Sequence, residues 1–201
     1  MLILVGQGNP GPKYAKNRHN VGFRALEALA DAYAAGPWRK KFQSEVADGD
    51  IGGVKTLLMK PQTFYNETGN AVAEAMRFYK ATPGDVVVFY DEIDLAPGRF
   101  RMKRGGGAAG NNGIRSIAAH IGDDFRRARL GMGHPGHKDL VMPYVLGDIP
   151  KADLEWVGAM IDACVRAAPL LAAGEDEKYQ AEVLRLAPAE KVPARGKKDE
   201  S

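Results

Sequence analysis

Residues 1–11 read MLILVGQGNPG, an apolar run from Leu2 to Val5 followed by glycines at positions 6, 8 and 11. An apolar strand leading into G-x-G-x-x-G has the form of a dinucleotide-binding turn, so the residues after these glycines decide which kind of α/β chain this is. The fingerprint needs a helix to open at once, with its N-terminus on the pyrophosphate and an acidic residue about 20 positions further on for the ribose. Pro10 and Pro12 bracket Gly11, and the residue before a proline is pushed out of the α region. The first helical spacing comes only later, with Phe23, Leu26, Leu29, Ala30 and Tyr33, and the acidic residues in range, Glu27 and Asp31, fall inside it. The pattern therefore argues against a dinucleotide site. It leaves Asn9 at the end of a buried strand.

Outward from that strand, apolar runs and turn signals alternate as in an α/β domain. A helix is expected from about Asn20 to Ala34. FQSEVADGDIGGVKTLLMKP then reads as a hairpin turning at Gly52-Gly53, so the sheet should be mixed. A second helix carries Val72, Ala75, Met76 and Tyr79, and VVVFYDE is a continuous apolar run suited to a strand buried on both faces, with Asp91 at its carboxyl end. A third helix carries Ile114, Ile117, Ala118 and Ile121, and a strand follows around Ala128–Met132. The last helix expected runs from about Ala152 until Pro169 disturbs it. Residues 1–187 read as one domain, an α/β fold with a mixed central sheet flanked by helices, and 188–201 as a charged, disordered tail.

The 201 residues, 45% of them hydrophobic, suffice for a single sizeable core. The lone cysteine, Cys164, excludes an internal disulfide and a multi-cysteine zinc site, and its helical stripe marks it as a core thiol. No apolar run approaches the roughly 18 residues of a membrane span, and Leu2–Val5 lacks the basic lead-in of a signal peptide, so a cytoplasmic location is expected. A net charge of +3 does not announce a nucleic-acid partner; its distribution says more. Arg99, Arg101 and Lys103 alternate before a glycine-rich loop, and Arg127 and Arg129 repeat the alternation after it, which on strands makes basic stripes.

Ligands of open α/β sheets bind beyond the carboxyl ends of the strands, where Asn9 and Asp91 fall and where His19 stands just before the first helix. A His–Asp pair is the smallest general-base unit: the carboxylate fixes the imidazole tautomer and stabilises the imidazolium once the ring has taken a proton. Asn20, Asn66 and Asn112 each precede a helix, where asparagine is a strong cap. Asn20 is read as that cap. Asn66 and Asn112, in glycine-containing loops, can join Asn9 to hold a carbonyl or a developing oxyanion. His134 and His137 show no third metal ligand, and His120 reads as structural. With no serine elbow, Walker loop or activated cysteine, the nucleophile is water and the reaction a hydrolysis.

Four blocks, GQGNPGPKYAKNRHNVG, KPQTFYNETG, FYDEIDLAPGRFRMKRGGGAAGNNGIRSI and FRRARLGMGHP followed by YVL, resemble in order and spacing the signature blocks of bacterial-type peptidyl-tRNA hydrolases. The resemblance implies a cofactor- and metal-free monomer that hydrolyses the ester between a peptide and the terminal ribose of tRNA, with no obligate protein partner. It gives His19 the role of base and Asp91 that of its orienting carboxylate. Asn9, Asn66 and Asn112 become the amides that bind the peptide end and the reacting centre, and Tyr14 lies near the cleft. Lys103 and Arg129 become contacts to tRNA phosphate, which Arg101 and Arg99 on the same stripe extend. The chain departs from the usual pattern at Tyr65 (commonly Met), Asn111 (His), Asn17 (Thr) and Tyr90 (often His). Tyr65 adjoins the expected cleft, so a substrate contact is assigned to it. The rival reading is a non-catalytic RNA-binding relative of the same fold.

Overall fold

The computed structural model describes residues 1–189, so the charged tail expected from 188 lies almost wholly outside the described residues. Seven strands form one sheet: β1 (Leu2–Gly6), β2 (Arg39–Lys41), β3 (Ser44–Ile51), β4 (Val54–Pro61), β5 (Val86–Glu92), β6 (Phe100–Arg104) and β7 (Arg126–Gly131). Their order is β2-β3-β4-β1-β5-β7-β6. The central strands β4, β1, β5 and β7 are parallel, and antiparallel β3 and β6 extend the two sides. The helices are α1 (Val21–Ala32), α2 (Thr68–Phe78), α3 (Asn112–Ile121), α4 (Val141–Val145), α5 (Leu154–Arg166), α6 (Ala168–Ala172) and α7 (Asp176–Leu186).

Because side chains alternate along a strand, β1 and β5 feed two cores at once. Leu4, Val87 and Phe89 pack with α1, α5 and α7; Ile3, Val5, Val88 and Tyr90 pack with α2 and α3. This three-layer arrangement is the mixed α/β sheet flanked by helices that the apolar runs predict. The hairpin turns where expected, with Gly52 and Gly53 at φ 59° and 85°, a conformation that favours glycine at both central positions. No described helix is long and apolar enough to cross a membrane.

Of the opening glycines, Gly6 and Gly8 serve close packing. Only 3₁₀ turns, Pro12–Tyr14 and Arg18–Asn20, separate them from α1, so no helix opens on the glycine loop. A Cβ on Gly6 would fall 2.5 Å from the Gly22 carbonyl oxygen, and one on Gly22 would fall 2.3 Å from the Phe89 oxygen and 2.6 Å from the Gln7 nitrogen. The first turn of α1 therefore rests directly on the backbone of β1 and β5. Gly22→Ala should cost about 3 kcal/mol or more, because rigid backbone surrounds the added methyl. A urea midpoint within error of the wild type would contradict this packing.

The structure departs from the sequence reading in four places. The short edge strand β2 has no apolar alternation to reveal it. A helix, α4, stands after β7 in a stretch to which the sequence reading gives no element. Pro169 does end the expected last helix, but only to sit in the first turn of α6, where its missing N–H is harmless. A further helix, α7, follows; its inward residues are chiefly Tyr179 and Val183, too few for a strong periodic signal. It is anchored by the Arg126–Asp176 ion pair and by a hydrogen bond from the Tyr179 hydroxyl to the Cys164 carbonyl (3.1 Å). Cys164 is fully buried, and burial pushes its thiol up to about 12, as suits a core residue.

Candidate active site

The carboxyl ends of β1, β4 and β5 and the N-terminus of α3 surround a cleft of about 680 Å³. Asn9, Tyr14, His19, Tyr65, Asn66, Asp91 and Asn112 all line it, joined by Phe64, Glu92 and Asn111 and, on and beside α4, by Lys138, Val141, Met142, Val145 and Leu146. His19 comes from the 3₁₀ turn before α1, and Asp91 from β5. The two are 72 positions apart in sequence, yet His19 Nδ1 lies 2.7 Å from Asp91 Oδ2. The Asp91 side chain is 1% exposed and that of His19 13%, so the carboxylate is sealed while the ring still reaches the cleft. With Nδ1 engaged by the carboxylate, Nε2 is the nitrogen left for a reacting partner.

Asn9 is held from three sides. Asn20 accepts from the Asn9 backbone N–H and donates to the Asn9 carbonyl, both at 2.9 Å. Asn20 thus corrects the reading as a cap: it occupies the N-cap position of α1 but makes no cap hydrogen bond, because its amide is engaged by Asn9. The Asn9 side-chain oxygen accepts from Tyr65 N at 3.1 Å, which identifies its Nδ2 as the donor facing outward. Asn66 and Asn112 are exposed in the cleft, and neither side chain makes a hydrogen bond within the described residues. The cap of α3 is Asn111, whose Oδ1 accepts from Ile114 N at 3.0 Å, so Asn112 projects from the first turn.

Tyr65 is 6% exposed and its hydroxyl turns inward. It donates to Asp91 Oδ1 (3.1 Å), accepts from Asn111 Nδ2 (3.0 Å), and its ring stacks on His19 with centroids 3.6 Å apart. Two of the positions at which the sequence departs from the pattern it resembles are thus in contact with each other. Glu92 is a second buried carboxyl at the cleft; burial and the nearby Asp94 hold its pKa up, and Arg129 opposes them.

The basic residues occupy one face of the sheet beside β5. Arg101 opposes Arg129 and Lys103 opposes Arg127 across β6 and β7, and Arg129 is level with Tyr90 of β5. Arg99 lies one residue before β6, but its carbonyl accepts from Gly131 N (2.8 Å) and so continues the ladder. None of the four assigned cations lines the cleft. Arg127 differs from its neighbours: it is 1% exposed and donates to the Gly106 and Gly107 carbonyls at 2.7 Å, so it secures the glycine loop rather than extending the basic stripe. His134 and His137 each accept a hydrogen bond from their own loop, from Gly136 N and Asp139 N, and His120 bonds the Ser116 carbonyl within α3. Among the described residues no cluster of three or more His, Cys, Asp or Glu could hold a metal ion.

A family model described as peptidyl-tRNA hydrolase matches residues 3–191. The chain belongs to the peptidyl-tRNA hydrolase family. It is similar to the peptidyl-tRNA hydrolase of Phenylobacterium zucineum, with 63% identity over 97% of this chain and 95% of that one. The Caulobacter vibrioides peptidyl-tRNA hydrolase is 60% identical over 97% of each. The crystal structure of the Acinetobacter baumannii enzyme superposes with a TM-score of 0.87 at 37% identity, covering 91% of this chain and 94% of that one.

In this member of the peptidyl-tRNA hydrolase family, the segment just before His19 also braces the far wall of the cleft. Arg18 donates to the Tyr144 carbonyl (2.9 Å) and its guanidinium lies 4.0 Å from the Tyr144 ring centroid, while Asn17 donates to Asp148 Oδ1 (2.9 Å). The braced wall presents Val141, Met142 and Leu146, an apolar lining in a stretch to which the sequence reading gives no element. Its signal was present in the run LVMPYVL, where apolar residues recur at helical spacing around a proline.

Proposed function

We propose that this chain hydrolyses the ester bond of peptidyl-tRNA, releasing free tRNA and peptide, and that water activated by His19 is the nucleophile. The observation that carries the reading is the buried Asp91 carboxylate 2.7 Å from Nδ1 of a histidine whose Nε2 is left to the cleft. Nε2 takes a proton from water as the water oxygen attacks the ester carbonyl, and Asp91 stabilises the imidazolium that forms. Asn9 Nδ2 and the Asn112 amide, at the positive end of α3, are the donors for the carbonyl oxygen as it gains charge. Collapse of the tetrahedral intermediate breaks the bond to the ribose oxygen, which recovers its proton from His19. Asn66, Tyr14 and the apolar wall hold the peptide end.

Arg99, Arg101, Lys103 and Arg129 serve the tRNA body rather than the reacting end, which suits their place on the sheet face beside the cleft. Removing one phosphate contact should reduce the log–log salt slope of tRNA binding by up to about 0.9 in a duplex region. A Lys103→Ala, Arg129→Ala double variant with an unchanged slope would remove these residues from the interface. The reading further places the chain in the cytoplasm as a monomer. Its direct test is release of free tRNA from an N-acetylated aminoacyl-tRNA by the purified protein; binding without release would instead support an RNA-binding relative that has lost hydrolysis.

A further inference from the structure

Asp91 offers two carboxylate oxygens, and the structure gives each a different partner. Oδ2 faces His19 Nδ1, and Oδ1 accepts from the Tyr65 hydroxyl at 3.1 Å. Asp91 is 3% exposed, so water has little access to replace either partner. The hydroxyl in turn accepts from Asn111 Nδ2 at 3.0 Å, and the other end of that amide is engaged in capping α3 through Ile114 N. The amide orientation is therefore set, and because Asn111 Nδ2 can only donate, the phenol directs its hydrogen at Asp91. The Tyr65 ring, 13° from parallel to His19, closes the circuit.

We infer that Tyr65, anchored to the cap of α3 through Asn111, is a positioning residue for the hydrolysis: it fixes the Asp91 carboxylate and the His19 ring so that Nε2 faces the cleft. The inference rests on the His19–Asp91 reading above. Burial and the adjacent Asp91 charge hold the phenol well above its ordinary titration range, which keeps it a donor at neutral pH. Fully satisfied buried networks of this kind rigidify their members. Misplacing a reacting group by a fraction of an ångström to an ångström is enough to slow chemistry substantially.

Tyr65→Phe keeps the ring on His19 and deletes both hydrogen bonds of the hydroxyl. Asn111→Ser keeps a good cap and deletes the amide donor. Both should be assayed on N-acetylated aminoacyl-tRNA beside His19→Ala, with thermal unfolding run in parallel. For Tyr65→Phe, kcat is expected to fall about 10- to 100-fold with KM held within about threefold. The acidic limb of its pH–rate profile should move to higher pH, because a carboxylate relieved of the phenol donor directs more of its charge at the imidazole and favours the protonated ring. Asn111→Ser should move kcat and the limb the same way by less, and it carries the test if Tyr65→Phe folds poorly. An inactive His19→Ala beside a Tyr65→Phe with kcat within about twofold and an unmoved acidic limb would overturn this inference and leave the dyad standing. A rise in KM alone would also overturn it, making Tyr65 a substrate contact. Retained activity in His19→Ala would remove the dyad and the inference together.

Discussion

His19→Ala is expected to slow release of tRNA from N-acetylated aminoacyl-tRNA by roughly 10²–10⁴-fold, the usual worth of a positioned general base, with tRNA affinity nearly unchanged. The expectation follows from placement. Of the four histidines, His120 is bound within α3, and His134 and His137 are bonded into their own loops. His134 alone of these lines the cleft, and among the described residues it has no carboxylate partner of the kind Asp91 supplies to His19. The basic stripe, outside the cleft, is untouched by the change, so a filter-binding or quenching titration should give the wild-type tRNA affinity. A His19→Ala protein that turns over within a few-fold of the wild type would remove the base from the mechanism.

Asp91→Asn is expected to lose about 10²–10⁴-fold in the chemical step while the fold persists. The reason lies in the partners of its two oxygens. The Tyr65 hydroxyl donates to Oδ1, so the new amide places its carbonyl oxygen there and turns its NH2 toward His19 Nδ1. That donor requires Nδ1 to be the acceptor, and the ring proton moves to Nε2. The nitrogen facing the cleft then carries a hydrogen where it needs a lone pair. Single-turnover rates decide this directly; a rate within about threefold of the wild type would mean that the carboxylate charge and the tautomer it selects have no part in the reaction.

The parts of the fold that repeat along the chain were legible in the sequence. VVVFYDE and the Gly52-Gly53 hairpin carry their structure locally, in continuous burial and in a turn that needs positive φ twice. The meeting of His19 and Asp91 could be read as well, because both positions fall at the same end of the sheet once the strands are placed. Less legible were choices between two good uses of one side chain. Asn20 stands where a cap belongs, and only the path of the chain before it shows that the Asn9 backbone has claimed its amide. Arg127 reads as one more surface cation until the glycine loop folds over it and offers carbonyls in place of solvent. The inward turn of the Tyr65 hydroxyl depends on Asp91 and Asn111, which lie 26 and 46 residues away, and no local pattern records such a pairing. Helix α7 escaped for a plainer reason, since a helix that buries one narrow stripe of an otherwise charged sequence has little periodicity to read.

The most direct test of water as the nucleophile is a rapid-quench single turnover of N-acetylated aminoacyl-tRNA in heavy-oxygen water. Attack at the carbonyl by water on His19 places the heavy oxygen in the carboxylate of the released N-acetylamino acid, leaves the ribose hydroxyls of the tRNA unlabelled, and leaves no acyl group on the quenched protein. Label in the tRNA, or an acyl group bound covalently to the protein at early times, would contradict it.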